Sequence, residues 1–393
     1  MTTPAPADPS GGNLRRAAAA AVAGACLGVL TLGATGCRPG YVARVGVQHL
    51  RFMARARPIA ELIGEETDPI RVRRLELVLA VREFAAVSGL DVGGSYEKVS
   101  DTSGLSTAYV VTAAHRGRLE PYVWSYPVVG RIPYRGYFER ESAEQFGATL
   151  DEKGYDVYIV EAGAYSTLGW FDDPLPSGVL DYDDVALVDL VLHELVHRTV
   201  YLPGNISFNE TLASAVAGRL TIRFFEERGA SEEATTAGER RERWLAQSRA
   251  MDKLAAELDV YFTSVEGREA DAILAGRREI YERALPSMAE LGLVPAEPDA
   301  RLIDRLNNAV FLALWRYRKQ AHVIDAYVGS CADAGSALSS LPAVVGEADD
   351  PYAALLATQR AQVCCSETPA VSFVGRTRRR DPPCETGTTN SST

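Results

Sequence analysis

The stretch V-L-H-E-L-V-H-R-T-V-Y, residues 191–201, decides which fold and chemistry to expect. A helix advances about 100° per residue, so His193 and His197 lie on one face, one turn apart, with Glu194 on the flank. Two imidazoles at this spacing and an adjacent glutamate are typical of a catalytic zinc site, in which the glutamate takes a proton from a zinc-bound water. The stretch therefore predicts a metal-binding helix with Glu194 as the general base.

A catalytic zinc needs a third protein ligand and an open fourth position. Glu210 lies in S-F-N-E-T-L-A-S, 13 residues after His197, and the L-P-G segment at 202–204 allows the chain to turn back between them. A carboxylate in the first turn of an antiparallel helix can then come beside His197. The predicted metal ligands are therefore His193, His197 and Glu210, holding one Zn²⁺ ion.

The alternative is a core helix that contains two histidines by chance. The apolar neighbours Val188, Leu192, Leu195 and Val196 indicate that most of this helix is buried. Two unpaired histidines in such a helix would be costly to desolvate, whereas a metal ion removes that cost. The pattern thus favours the metal site.

The composition bounds the remaining possibilities. The chain has 393 residues, of which 47% are apolar, enough for a packed core in one large domain or two ordinary ones. Its net charge of −11 and pI near 5.1 oppose a general attraction to nucleic acid or to anionic lipid surfaces. We therefore expect no nucleic-acid partner.

The N-terminus has the features of an export signal. Arg15 and Arg16 precede an Ala/Gly-rich apolar run over 17–36, and small residues end that run directly before Cys37. This junction resembles a bacterial lipobox, in which the cysteine carries lipid, although Ala34 stands where a larger aliphatic residue is usual. We expect a lipoprotein held by its N-terminal lipid on the periplasmic side of the cell envelope. An ordinary cleaved signal and an uncleaved membrane anchor are the alternatives.

The hydrophobic patterns beyond the signal predict a mainly helical α+β protein with a small mixed β-sheet beside the active-site helices. Helices are expected over 41–63, 70–87, 139–153, 185–201, 207–227 and 300–327, with a charged amphipathic helical region over 231–291. Strands are expected in A-Y-V-V-T-A-A, Y-V-W-S-Y-P-V-V-G and D-V-Y-I-V-E. The predicted regions are a signal peptide (1–36), an N-terminal helical region (37–104), a catalytic region (105–330), a cysteine-bearing segment (331–365) and a disordered tail (366–393).

Four cysteines follow the proposed lipid site, namely Cys331, Cys364, Cys365 and Cys384. An even number in an exported chain predicts disulfides, and adjacent cysteines do not easily bond each other. Cys364 and Cys365 are therefore expected to pair with Cys331 and Cys384, in an order that the sequence leaves open.

Several motifs together resemble a known family. They are P-V-V-G-R-I-P-Y-R-G-Y-F, G-Y-D-V-Y-I-V-E-A-G-A-Y-S-T-L-G-W-F-D-D-P, H-E-L-V-H-R-T-V-Y, F-N-E, and L-N-N-A at 306–309. In this order they resemble the predicted bacterial aminopeptidase family of exported zincins, which are often lipoproteins, over about residues 40–329. The resemblance implies a gluzincin-like metallopeptidase that acts on peptides, with His193, His197 and Glu210 on zinc and Glu194 as base.

One position departs from the better-known gluzincins. They carry an aspartate four residues after the ligand glutamate, where it orients a zinc histidine, and Ser214 stands at that position here. A hydroxyl accepts the same imidazole proton less strongly than a carboxylate does. Asp184 and Asp189 are the other candidates for this role.

The rest of the site is predicted from residue type. A tyrosine hydroxyl is expected to stabilise the oxyanion that forms on the peptide carbonyl, and an aromatic core is the alternative role for each candidate. The candidates are Tyr165 and Tyr317, with Tyr134 and Tyr137. The segment 164–171 is expected to hold the substrate backbone as an added strand, with contacts from Tyr165, Ser166, Thr167, Gly169 and Trp170. Glu161, Asp172 or Asp173 would bind the free α-amine that an aminopeptidase requires.

Two hypotheses for function remain. The first is a zinc-dependent peptidase of the cell envelope, in particular an aminopeptidase. The second is a non-catalytic envelope lipoprotein scaffold with a structural zinc. Structural zinc sites are closed by four residues, and this chain has no fourth ligand at suitable spacing, so the pattern favours the enzyme.

The lipid anchor yields a direct prediction. Cys37→Ser should leave the leader uncleaved and the protein without lipid, because the modified thiol is removed. Mass analysis of the mature N-terminus and metabolic labelling with a fatty acid measure both effects. Cys331→Ser is the matched control and should keep the lipid, and an unmodified N-terminus elsewhere in the wild-type protein would contradict the lipoprotein assignment.

Overall fold

The computed structural model describes Val47 and residues 50–103, 108–126, 130–137, 139–162, 172–297, 300–346 and 348–360. These residues form a mainly helical α+β protein with small sheets of two or three strands, which confirms the predicted fold class. The signal at 1–36, Cys37 and the tail at 366–393 lie outside them. Among the described helices, none has the length and apolar character that a membrane span requires.

The N-terminal region is not continuously helical. Its elements are β1 (Ala56–Pro58), α1 (Ile59–Glu65), α2 (Pro69–Val87) and β2 (Lys98–Ser100). The predicted helix over 41–63 is wrong at 56–58, where β1 pairs antiparallel with β2. Pro58 explains the difference, because proline lacks an amide donor and disfavours helical conformation at the residue before it. The Asp68 side chain caps α2 by accepting from the Ile70 amide at 2.9 Å.

The next part of the chain contains a three-stranded antiparallel sheet. Its strands are β3 (Ala108–His115), β6 (Arg135–Tyr137) and β7 (Tyr155–Ala162), in the order β6-β3-β7. The chain between them forms β4 (Trp124–Tyr126), β5 (Gly130–Ile132) and α3 (Arg140–Asp151). β4 and β5 form a separate hairpin. Strand side chains alternate between the two faces, so Val111 and Ala113 pack with α3 while Val110 and Thr112 face the opposite side.

Helices form nearly all of the remainder. They follow β8 (Leu175–Pro176) and a 3₁₀-helix (Ser177–Asp181), and they are α4 (Asp184–Thr199), α5 (Ile206–Glu227), α6 (Ser231–Ser264), α7 (Ala270–Glu290), α8 (Ala300–Arg305), α9 (Asn308–Trp315), α10 (Ala321–Ser330), α11 (Ala334–Val345) and α12 (Pro351–Arg360). β8 pairs parallel with β2, so the sheet β1-β2-β8 is mixed.

The helical character predicted for 231–291 is confirmed, whereas the single helix predicted over 300–327 is wrong in its continuity. The region 231–291 is divided between α6 and α7, where Gly267 adopts φ of +82°. The region 300–327 contains three helices, because the Asn307 side chain begins α9 by accepting from the Val310 amide at 3.0 Å, and Gln320 is left-handed with φ of +47°. Residues past 341, where helical periodicity fades in the sequence, still complete α11 and form α12.

α4 lies at the centre of the largest hydrophobic core. Leu187, Val188, Leu192, Leu195 and Val196 are fully buried against side chains of α2, α5 and the C-terminal helices. This confirms the burial that the apolar neighbours of the two histidines indicate. A second core joins α6, α7 and α9.

Cys331 is disulfide-bonded, as the sequence analysis predicts from the even number of cysteines after the proposed lipid site. Its partner cysteine lies outside the described residues, so the pairing order stays a prediction.

The L-N-N-A motif joins the sheet to the second core. Asn308 is fully buried, and its Nδ2 donates to the carbonyls of His115, Arg116 and Arg118 at 2.8–3.3 Å. Its Oδ1 accepts from the Tyr281 hydroxyl at 2.9 Å. The Asn308 side chain thus hydrogen-bonds both the carbonyls of the turn after β3 and the Tyr281 hydroxyl of α7. These bonds fix α9 against the sheet.

We predict that Asn308→Ala destabilises the fold by about 3 kcal/mol, because it leaves several buried carbonyls and one hydroxyl without a partner. Urea unfolding followed by circular dichroism measures the change. Gln145→Ala on the exposed face of α3 is the matched amide control, and its effect should stay within about 0.5 kcal/mol. Equal effects of the two substitutions would contradict the assigned role of Asn308.

Candidate metal centre

α4 presents both histidines on one face. The Asp183 side chain caps the helix by accepting from the Ala186 amide at 2.9 Å, and the helix then runs through the core to Thr199. The rings of His193 and His197 meet edge to face, with centroids 4.8 Å apart. His197 is buried, with a side chain only 3% exposed, and His193 lies closer to solvent.

The turn after α4 sets the register of α5. Gly204 adopts φ of +82°, a conformation that favours glycine. Asn209 then bonds both backbone groups of Leu202: its Oδ1 accepts from the Leu202 amide at 2.9 Å, and its Nδ2 donates to the Leu202 carbonyl at 2.8 Å. This pair of bonds places the next residue, Glu210, opposite the two histidines. The sequence analysis missed this role of Asn209, although the residue lies inside F-N-E.

The three predicted ligands converge. His193 Nε2 lies 3.2 Å from His197 Nε2, and Glu210 Oε2 lies 3.3 Å from the first nitrogen and 3.4 Å from the second. Tetrahedral zinc with bonds of about 2.0–2.1 Å places its ligand atoms about 3.3–3.4 Å apart. The triangle of two nitrogens and one oxygen therefore has the size and the donor chemistry that a tetrahedral zinc ion requires, and the group could hold a metal ion.

The charges of the three groups affect the pKa values of His193 and Glu210. Burial lowers the pKa of His193, but Glu210 and Glu194 outweigh this effect and raise it to about 9. Burial raises the pKa of Glu210, while hydrogen bonds from His193 and His197 bring it well below its ordinary value. Protons and a metal ion therefore compete for the same atoms, as in other sites of this ligand type. His197 Nδ1 is buried with no hydrogen-bond partner among the described residues.

Ser214 is the nearest of the three candidates for orienting a histidine. Its Oγ lies 3.5 Å from His193 Nδ1 and donates to the Glu210 carbonyl at 2.9 Å, so its lone pairs are available to the imidazole N–H. Asp189 is half-buried and accepts from Thr221 Oγ1 at 3.4 Å. Asp184 pairs with arginines of α2 at the start of α4, away from the histidines.

Glu194 lines a pocket of about 680 Å³ between the sheet and the helices. Its Oε2 is buried and has no hydrogen-bond partner in the described structure, so a proton acceptor is available beside His193. Burial and then the charge of Glu194 raise the pKa of Tyr96. Tyr96 also has a left-handed backbone, with φ of +60°, which is costly for an aromatic residue and is often found at functional sites. No sequence pattern predicts that Tyr96 lies near Glu194.

The three predicted tyrosines among the described residues differ in their surroundings. Tyr317 lines the pocket and is 39% exposed, while the surrounding protein and the charge of Glu210 raise its pKa to about 12. Burial and the same charge raise the pKa of Tyr134. Tyr137 packs its ring against Phe146 of α3, with centroids 5.6 Å apart, which matches the core alternative. Tyr201, which the sequence analysis did not select, has a buried hydroxyl with no partner in the described residues.

The candidates for binding an α-amine do not line the described wall of this pocket. Asp172 pairs with Arg198 at 2.9 Å, Asp173 is buried, and Glu161 is exposed near the end of β7. The predicted substrate rim, Tyr165, Ser166, Thr167, Gly169 and Trp170, lies outside the described residues and remains a prediction.

The other two histidines among the described residues, His115 and His322, lie outside the candidate metal group. His115 packs against Tyr155, with ring centroids 4.9 Å apart. His322 has a half-exposed side chain 3.7 Å from Asp252, and His49 lies outside the described residues.

Fold and site define an α+β protein in which two histidines and a glutamate from a helix pair form a candidate metal centre beside a pocket. The chain belongs to the family described as "Putative aminopeptidase", whose model matches residues 40–336. No curated protein and no solved structure matches the chain. The family supports peptidase chemistry at this site.

We predict that His193→Ala, His197→Ala and Glu210→Ala each lower zinc affinity by orders of magnitude, because each removes one of three ligands. Zinc per chain after dialysis, measured by mass spectrometry of the metal, is the test. His322→Ala is the matched control and should retain the wild-type zinc content. Full zinc content in Glu210→Ala would reject the third ligand.

Proposed function

We propose that the protein is a zinc-dependent peptidase, in particular an aminopeptidase, that holds one Zn²⁺ ion on His193, His197 and Glu210. The observation that carries the proposal is the triangle of ligand atoms with 3.2–3.4 Å edges beside the unpartnered Glu194 Oε2. Membership of the putative aminopeptidase family supports the same reaction class.

The roles of the residues follow from their positions. When bound, zinc supplies a Lewis acid that activates water and polarises the peptide carbonyl. Glu194 Oε2 accepts the proton of the attacking water and returns it to the leaving amine. The Tyr317 hydroxyl, which stays protonated at neutral pH, donates a hydrogen bond to the oxyanion from the wall of the pocket.

The pocket favours an enzyme over a scaffold with a structural zinc. Structural sites are closed by four protein ligands, whereas the candidate group has three among the described residues. His193 also lines a solvent-accessible pocket, so a substrate can approach the open position. Because the signal sequence and Cys37 predict export and lipidation, the proposal extends to action at the cell envelope, on peptides reached from a membrane-anchored position.

Glu194→Gln tests the mechanism. The amide keeps the size of the side chain but loses its basicity, so peptide hydrolysis should fall by at least about a hundredfold while zinc content is unchanged. Release of free amino groups from a panel of peptides with free and blocked N-termini measures the reaction. Glu226→Gln on the exposed side of α5 is the matched control and should retain full activity.

Unchanged hydrolysis in Glu194→Gln would falsify the assignment of the base. Cleavage of blocked peptides at the rate of free ones would reject the aminopeptidase assignment and keep the peptidase.

A further inference from the structure

The pocket beside the candidate metal centre is rich in arginine, although the chain has a net charge of −11. Its described wall contains more arginines than carboxylates. The arginines are Arg240, Arg241, Arg316 and Arg318, and the carboxylates are Asp189 and Glu194. An arginine that the protein itself does not neutralise can attract an anionic ligand.

Two of these arginines are neutralised by the protein. Arg240 pairs with Asp183 at 3.0 Å, and Arg241 pairs with Asp325 at 2.6 Å. These pairs hold α6 against α4 and α10. Neither arginine therefore needs a ligand to balance its charge.

Arg316 has no such pair among the described residues. The residue is only 7% exposed, and its guanidinium lies over the Tyr134 ring, 4.9 Å from the centroid. Arg318 is likewise bound by neutral groups, since it donates to the Gln247 side chain and the Leu314 carbonyl at 2.9 Å. Burying a charge without a counter-ion is costly, so Arg316 is retained at a cost in stability that a bound anion would offset.

Arg316 is also held rigidly, immediately beside the metal ligands. Its carbonyl accepts from the hydroxyl of Thr211, the residue after Glu210, at 3.3 Å. The turn at 316–320 is fixed by α6, because Trp244 Nε1 donates to the Tyr317 carbonyl at 3.0 Å and Asp252 accepts from the Gln320 amide at 3.1 Å. These contacts fix the backbone, and the guanidinium is held by the Tyr134 ring and by a hydrogen bond with the Tyr317 side chain. It can therefore bind a carboxylate with little further loss of side-chain freedom.

We propose that Arg316 binds a free carboxylate of the substrate, so that the enzyme prefers short peptides that carry this group within the pocket. The inference rests on the proposed peptidase function and names its substrate class. The cavity of about 680 Å³ lies within the range of roughly 300–1,000 Å³ that encloses ligands of drug-like size, which matches a peptide of a few residues. The carboxylate is either the C-terminus or an acidic side chain.

Three peptides distinguish these sources: trialanine, trialanine amide, and the amide of Ala-Ala-Glu. The wild-type protein should hydrolyse trialanine with a kcat/KM at least about tenfold above that of its amide, since charge-assisted bonds to a guanidinium are strong. Recovery of the rate with Ala-Ala-Glu amide would assign the site to carboxylates generally, and no recovery would assign it to the C-terminus. Equal rates on all three would overturn the proposal.

The Arg316 variants test the residue itself. Arg316→Gln should bring the ratio of acid to amide close to one, and Arg316→Lys should keep part of the preference because it retains the charge without the planar fork. Arg318→Gln and the exposed Arg283→Gln are controls that should keep the preference. An equal loss of rate on acid and amide in Arg316→Gln, or loss of the preference only in Arg318→Gln, would contradict the assignment.

Binding to the zinc-loaded Glu194→Gln protein separates this inference from the proposed function. Calorimetry should show tighter binding of trialanine than of its amide, and Arg316→Gln in the same background should remove the difference. This result is independent of turnover. Absence of hydrolysis by the wild-type protein would reject the peptidase, whereas equal binding of acid and amide would reject the carboxylate site.

Discussion

The two hydrogen bonds between Asn209 and the backbone of Leu202 are the interaction on which the candidate site depends. A metal site built from two helices requires their relative register to be correct to within a fraction of a turn, because each ligand atom must reach the same point. Asn209 closes the turn at both the amide and the carbonyl of one residue. Glu210 therefore begins its helix opposite His193 and His197.

The surrounding core makes this arrangement rigid. α4 is buried along its apolar faces between α2 and α5, so its two imidazoles have little freedom to move apart. The Glu210 carboxylate and the His193 imidazole are hydrogen-bonded to each other, which raises the pKa of His193 and lowers that of Glu210. A metal ion would be held by the same three side chains, so the core that fixes their helices also fixes the candidate site.

The active surface is assembled from elements that are distant in the chain. β3 and β7 supply one wall, α4 supplies His193 and Glu194, and the turn after α9 supplies Arg316 and Tyr317. Asn308 connects the sheet to α9, and α6 fixes the turn that follows. The polar contacts of Asn308 and Asn209 thus position the site without entering it. Arg316 places a buried cationic side chain on the wall of the pocket, in a chain whose net charge is −11.

The convergence of His193, His197 and Glu210 and the fold class could be predicted from the sequence, because they depend on short-range periodicity and spacing. His193 and His197 share a face in any helix, and L-P-G at 202–204 forces a reversal, so Glu210 follows from chain geometry. Strand 56–58, the division of 231–291 and the breaks in 300–327 could not be predicted as readily, since pairing with β2, Gly267 and the left-handed Gln320 override local helical periodicity. No sequence pattern points to Tyr96, Tyr201 or Arg316. Their importance depends on which side chains surround them in the folded protein, and only the tertiary structure determines that.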